Sequence, residues 1–168
     1  MQFKLVPEAP EDLEYVETVQ RAVPLVPGTE DDCCARIMRE TGIGPRDEAR
    51  TWLTFLRALE LAREGQAGFY RERVDPDPAH LREAFCERVY GVPVVLDILE
   101  TADGPRSGDA VFEAFRDEIP AYEQHKHRTR LQEIWGERVQ RLLEWAVLFD
   151  LAERTPEGYA RDGGRGEE

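Results

Sequence analysis

Residues 124–141, QHKHRTRLQEIWGERVQR, gather Lys126, Arg128, Arg130, Arg138 and Arg141 against only Glu133 and Glu137, before His125 and His127 are counted. Cations at that density can neutralise phosphate oxygens, and arginine can do so through two parallel hydrogen bonds. The same arginines can instead sit on a solvated helix face, paired with acids such as Glu123 and Glu137. Both readings are open at this point.

Catalytic chemistry finds less support. His125 and His127 form an H-x-H pair with no flanking carboxylate or third ligand, and on a helix their side chains would stand about 200° apart, so no metal is expected. His80 falls near a helix start and reads as a solvated residue. The chain contains no G-x-S-x-G, H-E-x-x-H or G-x-x-x-x-G-K-[ST], and its glycines sit where turns already require them. Cys33, Cys34 and Cys86 are odd in number with two adjacent, which suits reduced thiols better than a disulfide framework. None has a base supplied by a motif that would make it a nucleophile. The expectation is a non-enzyme without cofactor, with Cys33 and Cys34 as helix packing residues.

The chain has 168 residues with 22 basic against 35 acidic side chains, a formal charge of −13, and only Lys4 and Lys126 are lysine. An acid-rich, lysine-poor surface keeps a protein hydrated in concentrated salt, so a haloarchaeal source is the first reading. A GC-rich genome favouring Arg and Ala codons is the alternative. No apolar run is long enough to span a bilayer, and MQFKLVPEAPEDLEY lacks the basic and apolar regions of a secretory signal, so a soluble cytoplasmic protein without membrane contact is expected.

The elements that must carry the basic residues come in two sets. In the first block, PEDLEYVETVQRAV spaces Leu13, Val16, Val19 and Val23 as a helix that Pro24 and Pro27 terminate. A second helix starts at the N-cap Thr29 and stops at Gly42. A third starts at Pro45, turns Ala49, Trp52, Leu53, Leu56 and Leu59 inward, and leaves Arg46, Arg50, Thr54 and Arg57 outside. LAREGQAGFYRER then reads as a hairpin. The second block repeats the order: GVPVVLDILETA, the turn DGPRSG, SGDAVFEAFRDEI, a break at Pro120, the long TRLQEIWGERVQRLLEWAVLFDLA, and the hairpin LAERTPEGYAR, whose Thr155-Pro156-Glu157-Gly158 suits a type I turn. At an offset of ninety positions Leu53, Leu61, Ala62, Gly68 and Arg71 recur as Leu143, Leu151, Ala152, Gly158 and Arg161. With the aromatic replacement of Phe69 by Tyr159, the shared positions fall in the helix interior, at the helix-to-strand junction, at the turn glycine and at the wing aromatic, where geometry constrains residue type.

These features divide the chain into a block at 1–73, a stiff linker at 74–79 containing Pro76 and Pro78, a block at 80–162, and a tail at 163–168 expected to be disordered. The helix PAHLREAFCERVY is expected to pack back against the first block. The fold class is mainly α with small β-hairpin wings, in two tandem units.

LDILETADGPRSGDAVFEAF followed by RLLEWAVLFDLAERTPEGYAR resembles the winged helix-turn-helix domains of prokaryotic and archaeal transcriptional regulators, and with the acidic composition it resembles a lineage-restricted haloarchaeal family of such proteins. The resemblance implies DNA binding in which the exposed part of each last helix enters the major groove. Carried over by position, it nominates Arg46, Arg50 and Thr54 in the first block, diluted by Asp47 and Glu48. In the second it nominates Lys126, Arg128, Arg130, Arg138 and Arg141, with Arg161 on the wing. Residues 76–168 carry 12 basic and 20 acidic side chains, and that excess would repel phosphate at ordinary ionic strength. At molar salt the Debye length is about 3 Å, so short-range contacts decide, although the same screening removes the gain from counterion release. The competing expectation is a non-catalytic scaffold whose helices dock a protein partner or a second copy of the chain, and an uninterrupted basic face over 124–141 would separate the two. Trp135 is expected in the core. Replacing Arg138 and Arg141 by Ala is expected to weaken DNA binding while leaving thermal unfolding nearly unchanged.

Overall fold

The computed structural model of the protein describes residues 2–161, so the tail expected at 163–168 lies outside the described residues. The chain forms two compact units, Met1–Tyr90 and Gly91–Glu168.

The first unit contains α1 (Glu14–Ala22), α2 (Glu30–Thr41), α3 (Arg46–Ala58), β1 (Ala62–Gly65), β2 (Gly68–Arg71) and α4 (Pro78–Arg88). The Thr29 hydroxyl accepts from the Asp32 amide and Gly42 closes α2 at φ 80°, so both ends of α2 stand where the caps predict. Ala49, Trp52, Leu53, Leu56 and Leu59 of the α3 segment are buried together with Val16 and Val19 of α1 and Cys33, Cys34 and Ile37 of α2. The division between units falls after Tyr90 rather than in the 74–79 segment. The reason is local: α4 buries Leu81, Ala84 and Phe85, with Phe85 edge-on to Phe55 at 6.4 Å, and Arg88 donates to the Ala58 and Arg57 carbonyls at the end of α3. Phe3 pairs in parallel with Val89 and seals the same edge.

The second unit contains α5 (Val92–Thr101), α6 (Gly108–Phe115), a single 3-10 turn (Arg116–Glu118), α7 (Ala121–Lys126), α8 (Leu131–Leu148), β3 (Ala152–Thr155) and β4 (Gly158–Arg161). Ser107 caps α6 as Thr29 caps α2, accepting from the amide three residues on. Between Pro120 and α8 the sequence pattern shows only a break, and the structure places α7 there. Its six residues are too few to show a period, and its N-cap is the proline itself. Trp135 is buried and stacks on Phe115 at 6.0 Å, in the core of this unit.

The repeat is closest where α3 and α8 end. Glu60 and Asp150, ninety positions apart, take φ of 64° and 62°. In each copy the next leucine amide reaches back five residues, Leu61 to Leu56 and Leu151 to Ala146, both at 2.8 Å. This is a Schellman closure built on an acidic residue in the left-handed region rather than on glycine. The hairpins coincide as well: β1 pairs antiparallel with β2 around Gln66-Ala67, and β3 with β4 around Pro156-Glu157. A third edge, unsignalled in the sequence, comes from the residue before each capped helix. Gly28 pairs with Phe69, and Arg106 with Tyr159. Buried Gln20 of α1 holds the first hairpin at both ends, its amide donating to the Leu61, Glu72 and Val74 carbonyls at 3.4, 3.3 and 2.9 Å.

Cys33 and Cys34 are fully buried, and burial raises both thiols above their ordinary pKa, with Cys34 adding to the effect at Cys33. In a Cys86→Ser background at pH 8, the folded protein is expected to leave both thiols unmodified by Ellman's reagent over a time in which urea-unfolded chain reacts completely. Rapid native labelling would contradict this.

Candidate nucleic-acid interface

In each unit one helix, α3 or α8, runs directly into the hairpin. On α3, Arg46, Arg50, Thr54 and Arg57 recur at spacings of four, four and three, which places them along one line. Arg46 pairs with Asp31 from the start of α2, Arg50 with Asp47 at 3.1 Å, and Arg57 with Glu64 on β1 at 3.2 Å. Arg57 also lies over the Phe3 and Phe69 rings, at 5.6 and 5.4 Å. Arg46 and Arg50 remain about half exposed, at 46% and 48% of the side chain. Pairs that open to water hold their partners weakly, within about 1 kcal/mol.

The offset of ninety carries Arg46, Arg50 and Thr54 onto Gly136, Gln140 and Glu144 of α8. The equivalent face of the second unit is therefore neutral to acidic. Gln140 donates to the Tyr159 hydroxyl at 2.7 Å, while Glu144 accepts from that hydroxyl and pairs with Arg154. Burial, with the bond to Glu144, raises the Tyr159 pKa, so this phenol stays protonated.

The sequence-predicted cations of the second unit do not form one face. Arg138 corresponds to Glu48 and Arg141 to Thr51, off the line just described. Arg138 lies over the Trp135 ring at 4.6 Å, is only 22% exposed, and stands 3.8 Å from the buried Glu123 carboxylate. Burial lowers its pKa. Arg130 pairs with Glu133 at 3.0 Å, Arg141 with Glu137 at 3.3 Å, and Arg161 with Glu100 at 2.8 Å. Lys126 and Arg128 are exposed, the first at the end of α7 and the second just beyond it. The stretch 124–141 is thus interrupted by acids. The expectation that replacing Arg138 would leave unfolding nearly unchanged does not fit its place over Trp135. Residue counting missed this because density along the chain says nothing about which helix face a residue occupies.

His125 is exposed in the last turn of α7, and His127 lies 3.4 Å from Glu123. His80 stands 2.9 Å from Glu60, beside a helix start capped by Asp77. Among the described residues no group of three or more His, Cys, Asp or Glu is placed to hold a metal ion, and no helix is long and apolar enough to cross a membrane.

A family model described as the halobacterial double winged helix domain matches residues 1–165, nearly the whole chain. The chain belongs to this halobacterial double winged helix family. No curated protein and no solved structure matches. Membership accounts for the duplicated order of helices and hairpin, and its halobacterial description agrees with the acid-rich, lysine-poor composition. In a double winged helix protein, α3 and α8 are the helices that lead into the hairpins of the two units, and β1–β2 and β3–β4 are the wings.

Proposed function

We propose that this double winged helix protein binds duplex DNA, with α3 of the first unit as the reading helix and its wing beside it, in the service of transcriptional regulation. The observation that carries the reading is the line Arg46, Arg50, Thr54 and Arg57 on the outward face of α3. Among the described residues Arg46 and Arg50 pair with exposed acids, Asp31 and Asp47, that phosphate or a guanine edge can displace. In molar salt the remote acids of the chain are screened within about 3 Å, and recognition then rests on contacts of this short range.

The test is retention of a random-sequence duplex pool by the full chain in molar KCl. Arg46→Ala with Arg50→Ala is expected to weaken retention about tenfold or more, since each base-contacting arginine contributes about 1–3 kcal/mol. Arg141→Ala is expected to change it little. If the double variant matches the parent, α3 is not the reader. If the parent itself retains no duplex, the DNA reading fails.

A second reading, a scaffold that docks a protein, is favoured by α8. Its arginines are engaged within the unit and its outward face carries Glu144. Failure of the parent to retain DNA would leave this reading in its place.

A further inference from the structure

The two wings end on the same residue type in different surroundings. Arg161 closes β4 and its guanidinium holds the Glu100 carboxylate at 2.8 Å. Arg71 closes β2 ninety positions earlier, and no carboxylate lies within ion-pair distance of it among the described residues. The Arg71 amide donates to the Pro24 carbonyl at 2.8 Å, at the end of the first helix of its unit.

In place of that acid, Arg71 lines a cleft of about 320 Å³ between α1 and the segment after β2. A volume of this order suits a small ligand. Glu17 and Glu72 on its walls are engaged by Arg21 and Arg63, so Arg71 and Arg73 outnumber Asp75 in charge left to compensate. The Nε of Arg71 is buried with no acceptor, as is that of Arg161, so the two wing arginines differ in the carboxylate that Glu100 brings to Arg161. Leu25 and Val74, exposed at 42% and 51%, supply an apolar wall beside these cations. Gln20 fixes the opposite wall through its bonds to the Glu72 and Val74 carbonyls.

We propose that this cleft binds a small organic carboxylate, with Arg71 and Arg73 taking the carboxylate that Glu100 supplies to Arg161 in the second unit, and Leu25 and Val74 covering the apolar end. A guanidinium and a carboxylate match as a forked pair, and the adjoining apolar wall selects an organic acid over a bare anion. The site stands independently of whether α3 reads DNA.

Benzoate is the probe, titrated into the full chain in molar KCl and followed by amide NMR shifts. Saturable shifts are expected within residues 17–25 and 71–75. They are expected to vanish in Arg71→Gln and to persist in Arg161→Gln. Benzyl alcohol, which keeps the ring and loses the charge, and inorganic phosphate, which keeps charge and loses the ring, are each expected to shift these amides far less. Absence of shifts with benzoate in the parent overturns the proposal without recourse to any variant. So does an equal response to benzyl alcohol or phosphate, or an undiminished response in folded Arg71→Gln.

Discussion

Gly158→Ala is expected to unfold the second unit at a temperature about 10–20 °C below the parent, a loss of about 3 kcal/mol or more. Two effects act together. Gly158 has φ 135°, a backbone region that L side chains avoid, and an added Cβ would stand 2.3 Å from the Arg106 carbonyl oxygen. That oxygen is fixed, because it accepts from the Tyr159 amide in the bridge that joins the wing to the start of α6. The obstacle is backbone and cannot rotate away. Gly68→Ala is expected to do the same to the first unit, with φ 133° and the Gly28 carbonyl oxygen 2.4 Å from the added carbon. Gly104→Ala, where nothing lies within 4 Å, provides the comparison and is expected to stay within about 0.5 kcal/mol of the parent. Thermal melts in molar KCl measure all three. A Gly158→Ala melt indistinguishable from that of Gly104→Ala would show that the wing is not seated against the segment before α6.

Glu123→Ala is expected to be nearly as damaging, by about 2–3 kcal/mol in urea unfolding. The Glu123 carboxylate is 9% exposed, accepts from the Trp135 indole N–H at 3.3 Å, and stands 3.4 Å from His127 and 3.8 Å from Arg138. Removing it leaves a largely buried guanidinium without its nearest acid and an indole donor without its acceptor. Glu123→Gln keeps an acceptor for the indole and loses the charge, so its effect is expected to be intermediate. Arg138→Ala is expected to cost about 1–2 kcal/mol through lost stacking on Trp135 and lost stem packing. Equal stability of Glu123→Ala and parent would mean that α7 is not anchored to α8 through this carboxylate.

Much of the architecture was legible because its determinants are local. Thr29 and Gly42 announce the ends of α2 within three or four residues of the positions they control. The ninety-residue offset shows wherever a junction admits few residue types, as at Leu61 and Leu151 or Gly68 and Gly158. The left-handed residues at Glu60 and Asp150 were missed because acids seldom mark that conformation, although their alignment in the offset was a usable signal. The helix α7 was missed because six residues carry no period. The candidate interface was legible only in part. The outward line of α3 follows from helical spacing, but its counter-ions do not: Asp31 reaches Arg46 from another helix, and Glu100 meets Arg161 from sixty-one positions away. The arginines at 124–141 are dense along the chain but engaged by acids of their own unit, whereas the Arg46–Arg50–Thr54 line of the first unit has only Gly136, Gln140 and Glu144 as its counterparts at the offset of ninety.

The single-residue bridge between Gly28 and Phe69 ties two parts of the first unit into one lever. Phe69 and Gly28 exchange two backbone bonds, and Arg71 adds a third to Pro24, so the flap cannot swing without drawing positions 24–28 along. Leu25 belongs to that stretch and forms part of the cleft wall. A tilt of the flap would therefore displace Leu25 and reshape the mouth of the cleft.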